Sequence, residues 1–158
     1  MDIKLRKANI TDFHQMLKIY KELDEMHRVE YPDIFIEPEG EARPLEYIEK
    51  QIEDDDKYLI VAETDKQIVG FVECVVMESS SFPVIKKRKW VELNSLVVLK
   101  EYQGIGVGKM LLESVIKWSN EKRINRIELK VFTFNSSAKD FYSKAGFKDI
   151  FSRMYLDC

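Results

Sequence analysis

The chain has 158 residues, 45% apolar and 34% charged, a balance that excludes a disordered chain and fits one domain over 1–158. Its longest apolar run, Ile68 to Met77, is interrupted by Glu73 and too short to span a bilayer, and Met1-Asp2-Ile3-Lys4 resembles no secretory leader; a cytoplasmic chain with no membrane partner is expected. The formal net charge is −3, yet residues 21–56 carry 14 acids against 4 bases, a local −10 that leaves +7 for the remainder.

Ile3 and Leu5 alternate with polar neighbours and predict a short first strand. Asn9 or Thr11 can cap a helix that carries Phe13, Leu17, Tyr20 and Leu23 at helical spacing. A loop with Pro32, Pro38, Gly40 and Pro44 follows, then a short helix through Leu45, Ile48 and Ile52. Tyr58–Glu63 and Gln67–Met77 read as two strands around a turn at Thr64-Asp65-Lys66, and Trp90–Leu99 as another. From Gly104 the period becomes helical, with Met110, Leu111, Val115 and Trp118 on one face. Ile127, Leu129 and Val131 alternate again. A last helix begins near Asn135, carries Ala138, Phe141, Tyr142 and Ala145, and stops at Gly146; Phe147–Leu156 is expected to be a closing strand. A strand meander followed by strand–helix alternation implies an α/β fold with a mixed sheet.

Cys74, Cys158, His14 and His27 are not at metal-ligand spacing, so no metal is expected. The stretch Tyr102-Gln103-Gly104-Ile105-Gly106-Val107-Gly108-Lys109 lies between a predicted strand and helix, where glycines and free amides can cradle phosphate oxygens. Two familiar phosphate loops fail the spacing. Gly104 and Gly108 have three residues between them and Met110 follows Lys109, against the four intervening residues and the Ser or Thr of a Walker loop. A dinucleotide fingerprint would need glycine where Lys109 stands.

The spacing of Gln103, Gly106 and Gly108 fills Q/R-x-x-G-x-G/A and resembles the acetyl-CoA loop of the GNAT superfamily of N-acetyltransferases. Asn135-Ser136-Ser137-Ala138, Phe141-Tyr142 and Ala145-Gly146-Phe147 resemble that family's second conserved helix and its ending. The likeness is specific over about 90–147, the expected acetyl-CoA core, and loose over 1–89, the expected acceptor side. It implies a GNAT-like, mostly antiparallel mixed sheet with helices on both faces. It also implies acetyl-CoA as co-substrate, its pyrophosphate on the amides of Gly104 to Lys109 and its pantetheine arm along Leu96-Val97-Val98. Asn135, Ala138, Phe141 and Tyr142 complete the implied cofactor set, and an asparagine N-cap explains Asn135 equally well.

Acetyl transfer to an amine needs a base, because an ammonium of pKa about 10 cannot attack, and an acid for the departing thiolate. The resemblance points to Glu92 as base and Tyr142 as acid. The plainer readings are an exposed strand carboxylate and an ordinary core tyrosine. Glu25, His27, Tyr31 and Glu92 are the candidate acceptor-binding residues, and the acidic segment around the first three would attract a cationic amine; a solvated helix face is the alternative. Family members are often dimers, which makes a homodimer the expectation here. The basic run Lys86-Lys87-Arg88-Lys89 reads as a charged hairpin tip, so no nucleic-acid partner is expected. A non-catalytic acyl-CoA-binding or sensory domain with the same fold is the competing function.

Overall fold

The alternating segments become five strands: β1 (Lys4–Lys7), β2 (Lys57–Thr64), β3 (Gln67–Glu78), β4 (Lys89–Val98) and β5 (Ile127–Leu129). The computed structural model describes residues 2–65 and 67–158; Met1 and Lys66, the latter in the expected turn, lie outside the described residues. The strands form one sheet in chain order. The first three pairings are antiparallel, and β4 with β5 is parallel. Helices α1 (Phe13–Glu30) and α2 (Leu45–Glu53) lie between β1 and β2, α3 (Val107–Glu121) between β4 and β5, and α4 (Ser136–Lys144) follows β5. None of the described helices is long and apolar enough to cross a membrane.

Helices cover both faces, which is why β2 and β3 are apolar at successive positions and not merely alternate ones. On one face Leu59, Val61, Ile68 and Phe71 pack against Phe13, Met16, Ile19 and Tyr20 of α1 and Ile48 of α2. On the other, Ile60, Val72, Cys74, Val91 and Leu93 meet Leu111, Leu112, Val115 and Trp118 of α3. The entry to α1 is fixed by a reciprocal cap: the Thr11 N–H donates to Asn9 Oδ1 at 2.9 Å and the Asn9 N–H to Asp12 Oδ2 at 2.8 Å. Arg6 joins this turn to the sheet, with Nη1 and Nη2 on Asp12 at 2.7 and 2.9 Å and Nε on Glu63 at 2.7 Å.

One expectation fails. Phe147–Leu156 is not a strand; after α4 stops at Gly146 (φ 97°), the chain takes no regular structure. Phe151, Met154, Tyr155 and Leu156 are exposed. Alternation becomes a strand only where an open edge receives its backbone, and β5 offers three residues of edge, shorter than the commonest strands of about five or six.

Candidate active site

The candidate site lies where β4 runs past the end of β5 while still paired with β3. Glu73 lies opposite Ser95 but Cys74 opposite Leu93, so Asn94 is an extra, bulged residue. The parallel pairing of β4 with β5 ends at the same point, at Leu93 with Leu129. Past the bulge, Leu96, Val97 and Val98 continue along β3 with their outer edge beyond the end of that parallel pairing. Gly70 permits the close approach there, since a Cβ on it would stand 2.7 Å from the Val97 carbonyl oxygen.

The glycine loop follows directly. Gln103 Nε2 donates to the Val98 carbonyl at 2.8 Å and ties the loop to the strand end. Gly104 and Gly106 have φ of 77° and 97°, and open space surrounds both, so backbone conformation rather than room requires glycine. Gly106 is the N-cap of α3, without a side-chain cap bond. The amides of Val107, Gly108 and Lys109 are therefore left for an anion, at the positive end of a helix dipole. Gly108 brings three elements together: a Cβ on it would be 3.6 Å from the Phe141 ring and 3.7 Å from Leu96 Cδ2. Ile105 is exposed, and so is Lys109, whose Nζ lies 3.8 Å from Glu113.

Across the loop stands α4. Asn135 Oδ1 accepts the Ala138 N–H at 3.1 Å, the capping role weighed above. The half-buried Tyr142 ring lies 5.2 Å from Phe141 and 5.4 Å from Phe147. Burial, with a smaller contribution from Cys74, pushes the Tyr142 hydroxyl up to about 12, so at neutral pH it carries a proton to give. Burial likewise pushes the Cys74 thiol up, which makes it a neutral core group and no nucleophile.

On the α1 side of the sheet, Glu92 is half-buried and its Oε2 accepts the Trp90 Nε1–H at 2.9 Å. His27 and Tyr31 stand one turn apart. The His27 ring is 5.1 Å from Phe132, 5.6 Å from Phe134 and 5.5 Å from Phe35, and Tyr31 is 5.2 Å from Phe132. His27 Nδ1 lies 2.8 Å from the Leu23 carbonyl; with the proton there, Nε2 is left as an acceptor. Glu25 does not join them: it is exposed and pairs with Arg28 at 3.6 Å. Sequence reasoning missed Phe132 and Phe134, which lie in the loop after β5. It also missed the buried Glu73 with its phenolic partners Tyr20 and Tyr47. For Glu73 the available signal was a lone acid in the apolar run of β3.

A β4 edge left unpaired past Leu93 beside an uncapped, glycine-led helix start fits the acyl-CoA site that the resemblance implies, and the family model of the acetyltransferase (GNAT) family matches residues 18–147. The chain belongs to the GNAT family. An N-alpha-acetyltransferase of Sulfurisphaera tokodaii is 26% identical over 94% of this chain and 82% of its own length. An uncharacterized N-acetyltransferase of Archaeoglobus fulgidus is 34% identical, but the match covers 54% of this chain and 56% of that protein. Among solved structures, a tetramutant protein of Bacillus halodurans superposes with a TM-score of 0.91 at 23% identity, over 98% of this chain and 99% of that one. An aminoglycoside N-acetyltransferase in complex with CoA gives 0.74 at 17% identity, over 99% and 95%. These two likenesses establish the GNAT fold and nothing finer.

Proposed function

We propose that this chain is an N-acetyltransferase that moves an acetyl group from acetyl-CoA to a primary amine by direct attack in a ternary complex. The observation that carries the reading is the junction at Gly108, where the uncapped start of α3, the free edge of β4 and the Phe141–Tyr142 end of α4 meet. The amides of Val107 to Lys109 would hold the pyrophosphate, and Leu96–Val98 the pantetheine arm, while a backbone amide near Val98 serves the developing oxyanion. Acetyl-CoA supplies an activated thioester. Glu92 takes the proton of the incoming ammonium directly or through a water, and Tyr142 gives its own to the leaving sulfur. Family membership and the N-alpha-acetyltransferase relative support an amine as acceptor, and the −10 segment supports a cationic one.

The test is release of free CoA thiol across a panel of amines. The wild-type chain should turn over, Glu92→Gln and Tyr142→Phe should each lose roughly a hundredfold in kcat, and acetyl-CoA affinity should hold. A wild-type chain that binds acetyl-CoA and acetylates no amine would replace this reading with a non-catalytic acyl-CoA-binding domain. The same reading includes a homodimer, because the C-terminal segment leaves Phe151, Met154, Tyr155 and Leu156 in water.

A further inference from the structure

We propose that Glu73 and the Tyr47 hydroxyl together form an ammonium-binding point on the acceptor side, selecting positively charged primary amines; this rests on the transferase reading above. Glu73 interrupts the apolar β3 and is 1% exposed. Both of its oxygens accept phenolic protons, Oε2 from Tyr20 at 2.8 Å and Oε1 from Tyr47. An acceptor on both oxygens is what a carboxylate is. Two neutral phenols satisfy its hydrogen bonds without neutralising its charge, and an uncompensated buried charge is costly.

The nearby cation is already engaged. Arg43 pairs with Asp24 and lies over the Tyr20 ring, 4.2 Å from its centroid. Among the described residues no ion pair reaches Glu73. Tyr20 from α1 and Tyr47 from α2 bond it, Ser95 is its opposite on β4, and Arg43 from the loop before α2 lies over the Tyr20 ring. From β2 its opposite is the apolar Leu59. Burial, with Glu73 next, pushes both phenols up, so both remain donors through the working pH range.

Position points the pair at the acceptor. Glu73 sits opposite Ser95 at the β4 bulge and, by strand alternation, on the same face as Glu92, which pairs with Val75. That places it on the same sheet face as the candidate base, with the Asn94 bulge between Ser95 and Glu92. Tyr47 is half-buried and forms the outward side of the cluster. A phenol that donates to a carboxylate turns its lone pairs away from it, ready to accept an ammonium N–H, and the charge behind strengthens that bond. No bond is made or broken in this step; it binds and orients the amine.

The experiment is calorimetric titration of 1,4-diaminobutane into the CoA-saturated chain, with steady-state KM and kcat alongside. Glu73→Gln keeps the volume and an acceptor but removes the charge; Tyr47→Phe keeps the ring. Each should weaken diamine binding about tenfold or more and raise KM by more than it lowers kcat, with CoA affinity within about twofold. Tyr20→Phe, which touches Glu73 from the buried side, should lower the melting temperature and leave diamine affinity within about threefold of wild type. Diamine affinity and KM unchanged in Glu73→Gln, or a wild-type chain that binds CoA but not the diamine, would overturn the inference alone. A wild-type chain that binds no CoA would overturn the transferase reading and the inference with it.

Discussion

Tyr142 and Asp12 show how burial of single residues can end in opposite net shifts, depending on the partners. Burial, with a smaller contribution from Cys74, raises the Tyr142 hydroxyl and preserves a proton for a leaving group. At Asp12, burial also works to raise the carboxyl, but the Arg6 hydrogen bonds, the Asn9 N–H and the Arg6 charge outweigh it and hold the carboxyl below its usual range. A depressed folded-state pKa means that the unfolded chain binds more protons as pH falls past about 3.9. Stability from this group is therefore complete above that pH and disappears as pH drops through the folded-state value. Asp12→Asn should cost roughly 2–3 kcal/mol at pH 7, since it removes a charged hydrogen-bond partner and half of the cap. It should also flatten the loss of stability below pH about 4; chemical denaturation at pH 7 and pH 3 measures both. An equal slope with pH in the two proteins would mean that another carboxylate governs acid unfolding.

At the scale of elements, the proposed function depends on two local features: the β4 bulge and the left-handed glycines before α3. Gly70 and Gly106 separate them. Gly70→Ala pushes a Cβ to 2.7 Å from the Val97 backbone, which cannot move without parting β3 from β4. A loss of about 2–3 kcal/mol or more is expected in denaturant unfolding. Gly106→Ala places an alanine at φ 97° in open space, for about 1–2 kcal/mol, and should weaken acetyl-CoA binding more than it lowers the melting temperature. Equal damage by both to stability and binding would argue against separate structural and ligand roles. The glycine motif and the helices α3 and α4 were legible in the sequence because loop, cap and apolar period are local. The bulge was not, because it exists only in the register between β3 and β4. The partners of Glu73 were hidden for the same reason: Tyr20 and Tyr47 reach it from two helices across long sequence separations.

At the scale of the whole molecule, charge and apolar surface are both unevenly placed. The −10 segment supplies the second half of α1, the following loop and α2 on the proposed acceptor side, whereas the +7 remainder carries the loop proposed for a polyanionic cofactor. The C-terminal segment was misread because strand-like alternation does not say whether an edge within the chain will accept it. Its exposed side chains lead us to expect, by analytical ultracentrifugation, a particle of twice the 18.7 kDa chain mass. Tyr155→Glu together with Met154→Glu should return it to the monomer, and a monomeric wild type at tens of micromolar would refute the homodimer. The most direct test of the central claim is calorimetric titration with acetyl-CoA, with ATP and NAD as controls. Micromolar binding specific to acetyl-CoA, weakened by Gly106→Ala, is the expected result. A folded chain that binds none of the three would contradict it, and the glycine loop would then be a turn between a strand and a helix.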